Sequence, residues 1–378
     1  MLISSADAFD NAMNAPNSRW AKTVSRFASN PIDIAHRPKF RFEPGHRFFC
    51  IGSCFARNIE EALICRGVEV LSKRMISPRE EHPARVTGVV NKFTTASMLN
   101  EARWALSGEG SGACSIVHGG EGWLDLQINP NAKLVTRERA EERRRYLERD
   151  YYARMRDADV LVVTLGLVET WRDNENGIWQ NMAPPFYLAR RQPGRFTLSI
   201  TSVEANFDAL EELRSVARSV NPDLRIIVTV SPVPAATTFS GQDIFVANMH
   251  SKSVLRAAAE QFAQAHFDVD YYPSYEMVMG SARSAAFARD CAHVRDPLVR
   301  VVIDRFAELY LPDLPSGDPD FVEMLYLAAN PDVEDAVRRG ELVSGFHHWR
   351  DSGRREGRSL VPDVIPPSLY DLGVVDPA

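Results

Sequence analysis

Phe48-Phe49-Cys50-Ile51-Gly52-Ser53-Cys54-Phe55-Ala56 runs an apolar stretch into a Gly-Ser corner and straight on into a helical pattern. Phe55, Ile59, Ala62 and Leu63 recur at i, i+4, i+7 and i+8, one face of a helix, while Arg57, Asn58, Glu60 and Glu61 lie mostly off it. The stretch reads as strand, turn and helix. Ser53 then stands at the helix N-terminus, where unpaired N–H groups and the positive end of the dipole favour negative charge. A nucleophilic serine needs those conditions, because attack on a carbonyl leaves an oxyanion that pre-aimed N–H groups stabilise. A helix-capping serine fits the same residues, and the segment alone leaves both readings open.

Outward from this corner, strand and helix patterns alternate. Residues 47–51, 68–71, 159–165, 224–230 and 267–272 read as strands, and residues 207–220, 253–265 and 298–310 as helices. Val160-Leu161-Val162-Val163 and Ile226-Ile227-Val228-Thr229-Val230 are apolar on both faces, as strands inside a parallel sheet must be. Leu298, Val301, Val302, Phe306 and Leu309 form a stripe that packs on such a sheet. The alternation predicts an α/β sandwich with crossover helices on both faces. Sites in such sheets lie at the carboxyl ends of strands, and Ser53, Gly166, Ser231 and the turn at 272–276 all fall there.

Composition narrows the function classes. The 378 residues are 45% hydrophobic and 25% charged, enough for a large core, and the net charge of −6 carries no footprint for nucleic acid or an anionic membrane. Residues 1–30 include Asp7 and Asp10 and lack a continuous apolar run, so they do not read as a secretory signal; no later run is long enough to span a bilayer, and the expected location is cytoplasmic. The five cysteines, Cys50, Cys54, Cys65, Cys114 and Cys291, show neither Cys-x-x-Cys nor a histidine at metal spacing. They are expected reduced and mostly buried, with no metal or cofactor. Cys54 shares the helix N-terminus and is the rival nucleophile, or else a small core residue under the first turn.

Gly52-Ser53-Cys54-Phe55-Ala56 is also the signature of the GSCFA family, which is similar to the SGNH (GDSL-like) hydrolases; the resemblance runs over most of residues 41–310. Thr229-Val230-Ser231-Pro232-Val233 and Tyr272-Pro273-Ser274-Tyr275-Glu276 look like family segments. The resemblance implies a flavodoxin-like three-layer α/β/α sandwich with a mostly parallel sheet. It also implies acyl-ester chemistry, with Ser53 as nucleophile and Asp290 and His293 of Asp290-Cys291-Ala292-His293 as its triad partners. The chemistry of the pair agrees: a histidine exchanges protons near neutrality, and a carboxylate three residues earlier can hold one ring nitrogen and leave the other for the serine.

SGNH enzymes complete an oxyanion hole with a glycine N–H from a second block and an asparagine from a third, Gly-x-Asn-Asp. Thr87-Gly88-Val89-Val90-Asn91 resembles the second, which implies Gly88 N–H beside the Ser53 amide, with Asn91 as a side-chain donor. The third block, residues 164–171, departs: Glu169 appears and no asparagine follows Gly166, and an ionised carboxylate cannot donate. Glu169 is therefore read as an acceptor for a substrate hydroxyl or amine. Trp171, Ser231, Tyr275 and Glu276 are read as further substrate contacts.

The remaining segments organise the chain. Residues 116–126 read as a hairpin with a Gly-rich tip, whose His118 is a turn residue or a substrate contact. Residues 137–156 read as a charged helix with a solvated face. The expected division is an extension at 1–40, the GSCFA/SGNH-like body at 41–312, a Pro/Gly/Asp linker at 313–319, a small helical module at 320–360 and a tail at 361–378. The module, with Tyr326-Leu327 before Asn330-Pro331-Asp332-Val333 and Glu356-Gly357-Arg358 near its end, resembles one found in bacterial proteins beside carbohydrate-acting domains, and is a candidate surface for a protein partner. Three functions follow: hydrolysis of an acylated carbohydrate or small ester, O-acyl transfer to a polysaccharide or glycoconjugate, or non-catalytic carbohydrate binding or scaffolding. Since every candidate site segment precedes residue 313, removal of residues 320–378 is expected to spare the body, although Phe321, Leu325, Leu327, Val333, Val337 and Trp349 carry enough apolar surface to pack partly on it or on a partner.

Overall fold

Five of these runs pair into one parallel sheet: β1 (Arg47–Gly52), β2 (Glu69–Val70), β3 (Val160–Leu165), β4 (Arg225–Val230) and β5 (Val269–Tyr271). Their order is β2-β1-β3-β4-β5, the flavodoxin-like order that the resemblance implied. The computed structural model describes residues 2–15, 17–23, 26, 32–83, 85–128, 132–314 and 317–375; parts of the expected extension and tail, and Pro315 and Ser316 of the expected linker, lie outside these. Helices α1 (Cys54–Ile64) and α4 (Asp296–Tyr310) share one apolar layer, where Phe55, Ile59, Val302 and Phe306 meet Phe48 and Cys50. Helices α2 (Val203–Val220) and α3 (Ile244–Ala265) cover the other face with Leu210, Leu213, Leu255 and Phe262. The sandwich is thus three layers deep. No helix among the described residues is long and apolar enough to cross a membrane.

Three differences from the sequence reading have physical causes. Helix α3 starts at Ile244, well before residue 253, because Phe245, Val246 and Met249 in its first turns face solvent and hide the period. Between β3 and α2 an antiparallel sheet of Glu169–Asp173, Trp179–Gln180 and Phe196–Ile200 is inserted; its strands are short and half-exposed, and carry too little alternation to be read. The charged helix Arg137–Tyr146 is not a solvated face throughout. Arg144 is buried and pairs with Glu101 at 2.7 Å and Asp125 at 3.2 Å, so its charge is met inside the fold. The hairpin forms as expected, pairing Ile116–His118 with Trp123–Asp125. Cys114 and Cys291 are exposed, whereas Cys50 is buried.

After α4 the chain continues into α5 (Glu323–Ala329) and α6 (Pro331–Arg338). Phe321, Tyr326, Leu327, Val333, Val337 and Phe346 join the same apolar layer as α1 and α4. A buried ionic junction crosses the segment boundary: Lys73 Nζ lies 3.0 Å from Glu61 and 3.7 Å from Glu323, whose carboxylate also accepts from Gly345 N–H and Phe346 N–H. Arg338 donates to the carbonyls of Ser77 and His82, and Ser77 N–H donates to Arg338 O at 2.9 Å. Removing residues 320–378 therefore uncovers an apolar face and takes away one partner of a buried cation, in line with the apolar residues the module was expected to pack on the body.

His82 lies beneath this junction, 2% exposed. Burial, together with the Arg338 and Arg143 cations, pulls its pKa down to about 4. A histidine depressed in the folded state favours folding fully above its unfolded pKa, about 6.5, and loses that contribution as pH falls toward the folded value. His82→Leu should flatten the fall in stability between those limits by about 3 kcal/mol, measured as the parent-minus-variant difference in urea unfolding at pH 7 and pH 4. A parallel fall in both proteins would refute the assignment.

Candidate active site

Gly52 ends β1 with φ +148°, a backbone state that L side chains rarely adopt, and a Cβ there would overlap Thr164 O on β3. The glycine lets β1 close on β3 at its carboxyl end and turn Ser53 into the N-cap of α1, at φ −66° and ψ −179°. Ser53 is 4% exposed. Its Oγ accepts from Phe55 N–H at 3.4 Å, a long capping bond, and its own N–H donates to Thr164 O at 3.3 Å. The capping role is therefore real and leaves the hydroxyl hydrogen available.

A strap, residues 88–94, crosses this edge. Lys92 N–H donates to Gly52 O at 2.7 Å, and Phe93 O accepts from Leu167 N–H at 2.7 Å. Gly166 is required here too, since a Cβ would stand 2.7 Å from Phe93 O. Asn181, buried, donates to Asn91 O at 2.9 Å and accepts from Phe93 N–H at 2.8 Å, clamping the strap from both sides. Asn91 is thus carried to the Ser53 corner with its side-chain Oδ1 buried and unpartnered. Gly88 N–H donates to Arg85 O at 2.8 Å. The amides of Ser53 and Gly88, both implied as oxyanion donors, are engaged internally in the free chain.

Asp290 and His293 form their own unit. The loop at 287–294 is closed by the Phe287 and Val294 bridge, and Asp290 Oδ2 holds His293 Nδ1 at 2.5 Å, leaving Nε2 open. Burial pushes the Asp290 carboxyl up, but the bonds from Ala292 N–H and His293 outweigh it and hold it below the usual carboxylate range. Among the described residues no hydrogen bond joins this pair to Ser53.

The other expected contacts are scattered. Both oxygens of Glu169 are taken, one by the Thr238 hydroxyl and one by Phe239 N–H at 2.8 Å, and Trp171 meets Phe239 edge-on at 5.3 Å. Ser231 is buried, donating from its N–H to Leu165 O at 2.8 Å and accepting from Val233 N–H. Glu276 binds Arg256 at 2.6 Å and the Tyr271 hydroxyl, while Tyr275 is half-buried beside it. His118 is exposed against Trp123 on the separate hairpin. The structure brings together Ser53, Asn91 and Gly166.

Sequence reading missed Lys252, which is 1% exposed on α3. Its Nζ donates to Gly166 O at 2.8 Å and Val233 O at 2.7 Å. Burial pulls its pKa down to about 7 against the opposing pull of the Cys54 thiol. Burial raises that thiol in turn, opposed by Arg85 and Lys252. Lys252 falls just before the helix read at 253–265, and a lone lysine carries no pattern that would reveal it. Among the described residues no group of three or more His, Cys, Asp and Glu side chains converges as a metal site.

The model of the GSCFA family matches residues 47–306. Solved structures similar to the chain include a family 3 carbohydrate esterase of Clostridium thermocellum, 9% identical with TM-score 0.31, the match covering 71% of this chain and 96% of that one. Another is an acetyl xylan esterase of the rumen bacterium Butyrivibrio proteoclasticus, 10% identical with TM-score 0.29, covering 73% and 65%. A third is a family two carbohydrate esterase of Clostridium thermocellum solved with cellohexaose, 12% identical with TM-score 0.25, covering 72% and 65%. No curated protein sequence matches the chain.

The glycine requirement is testable without a substrate. Gly52→Ala should lower stability by about 2–4 kcal/mol, combining a strained φ with a backbone clash, read from chemical denaturation. A change below about 0.5 kcal/mol would mean that β1 and β3 do not approach as described.

Proposed function

The chain belongs to the GSCFA family, and from that premise we propose that it is a serine-dependent acyl-ester hydrolase acting on an acylated carbohydrate or small ester. The carrying observation is Ser53, capping α1 at the carboxyl edge of a parallel sheet under a strap that carries Asn91 to the same corner. In this reading Ser53 Oγ attacks the acyl carbon, His293 Nε2 takes its proton and returns it to the leaving alcohol, and Asp290 orients the imidazole. The free chain holds Asp290 and His293 as an oriented pair, and the mechanism requires them to close on Ser53 in the acyl complex.

One observation favours a second reading, O-acyl transfer to a sugar hydroxyl. Ser53 is 4% exposed, and a site that excludes water suits a held acceptor. Both reactions share the acyl-enzyme, so they separate only at its fate. Non-catalytic binding is the reading left if no acyl-enzyme forms.

A fluorophosphonate probe should label Ser53 in the full chain. Ser53→Ala should lower turnover of a nitrophenyl acetate by about a thousandfold or more, since triad members act as a unit, while Cys54→Ala keeps most of it. The reverse ranking would move the nucleophile to Cys54, and no labelling at all would leave a binding protein. Counting free acid against acylated sugar when a sugar acceptor is present then decides between hydrolysis and transfer.

A further inference from the structure

The family pattern asks for a donor after Gly166 that this sequence lacks, and Glu169 cannot supply one because its oxygens anchor Thr238 and Phe239. A cation occupies that place from another element. Lys252 reaches from α3 to Gly166 O and Val233 O, the carbonyls just past β3 and β4. Ser53 N–H donates to Thr164 O at 3.3 Å, two residues before Gly166, so Gly166 O and the ammonium it holds border the Ser53 corner. The titratable group that Lys252 acts on is the Cys54 thiol, the residue after Ser53.

The charges around Lys252 are otherwise committed. Arg85, the other cation acting on Cys54, is bound to Glu61 at 2.6 Å and to Asn58 at 2.7 Å. Glu169 is turned to Thr238 and Phe239, and on α3 itself Arg256 pairs with Glu260 and Glu276 while His250 is exposed. Among the described residues Lys252 has no carboxylate partner, unlike Lys73 and Lys92, the other two fully buried lysines. A buried cation without an anion is costly, and an anion formed beside it repays that cost.

We propose that Lys252 is the missing oxyanion donor: two of its N–H bonds are held by Gly166 O and Val233 O, and the third takes the negative oxygen of the tetrahedral adduct formed at Ser53. The inference rests on the serine reading above. As Ser53 Oγ bonds to the acyl carbon its proton passes to His293, and the carbonyl π pair becomes the oxygen lone pair that Lys252 holds. Collapse restores the carbonyl and expels the alcohol, which recovers the proton from His293. Only the ammonium has three N–H bonds; the neutral amine spends both of its own on the two carbonyls. Activity is therefore carried by protonated Lys252 and is lost as pH rises through its pKa, which burial has brought down to about 7.

The test is the pH dependence of kcat/KM for nitrophenyl acetate, beside fluorophosphonate labelling, in the parent, Lys252→Met and Lys252→Arg. The parent should show an alkaline limb beginning near neutrality. Lys252→Met should lose about 100-fold in kcat/KM and the limb with it. Lys252→Arg, charged throughout, should recover part of the activity and show no limb. A lysine that only clamps two carbonyls does so in either charge state, so a parent profile flat from pH 7 to 10, a limb retained by Lys252→Met, or a loss under threefold in that variant would overturn the proposal. The parent profile alone decides if neither variant folds. Absence of label on the parent would overturn the serine reading and this one together, whereas labelled Ser53 with a limb unchanged in Lys252→Arg would overturn the lysine alone.

Discussion

Lys92, Glu101, Arg144 and Asp125 meet in the interior with almost no exposure to water, and the carboxyl edge is built on them. Lys92 is bonded to Glu101 by its side chain and to Gly52 by its backbone, so a salt bridge in the core fixes the strap that carries Asn91. Such a cluster adds little net stability over an apolar core of the same volume, but losing one member leaves an uncompensated charge at a cost of about 3–5 kcal/mol. The strap consequently has one position. Burial lowers the Lys92 pKa despite Glu101, a sign of how little solvent reaches the anchor.

That position bears on Gly166 and on the divergent third block. The strap's Phe93 leaves Gly166 no space for a side chain, while Gly52 has none because Thr164 of β3 closes on it. Glu169, three residues past Gly166, points away from the corner and pins the arm between β4 and α3 through Thr238 and Phe239. The same arm offers Val233 O to Lys252. The edge thus has a loop tied down by Glu169 and a buried lysine from α3 standing at Gly166.

Helix α1 links this edge to the C-terminal helices. Its first turn presents Ser53 and Cys54, and its second and third turns present Asn58 and Glu61, which bind Arg85 and Lys73. Lys73 passes the connection on to Glu323, which caps the turn at Gly345 and Phe346. The C-terminal helices therefore brace the helix whose N-terminus forms the corner. Their apolar residues join the layer of α1 and α4.

The sheet and the serine corner were legible in the sequence because both depend on local regularities. Doubly apolar runs mark buried parallel strands, and a Gly-Ser step between a strand and an amphipathic helix marks the turn whatever the rest of the chain does. The pairing of Asp290 with His293 was legible for the same reason, being three residues long. Glu169, Glu276 and Ser231 were read as substrate contacts because their places at strand ends were visible while their partners, Phe239, Arg256 and Leu165, were not. Arg144 was read on a solvated face and Lys252 was not singled out, since a charge is assigned to the interior only when its partner arrives from elsewhere in the chain: Glu101 for the one, two carbonyls at the ends of different strands for the other. Periodicity and spacing determined the architecture and the place of the serine corner. The tertiary structure decided which polar groups are spent and which remain open at the site, because that depends on contacts between segments far apart in sequence.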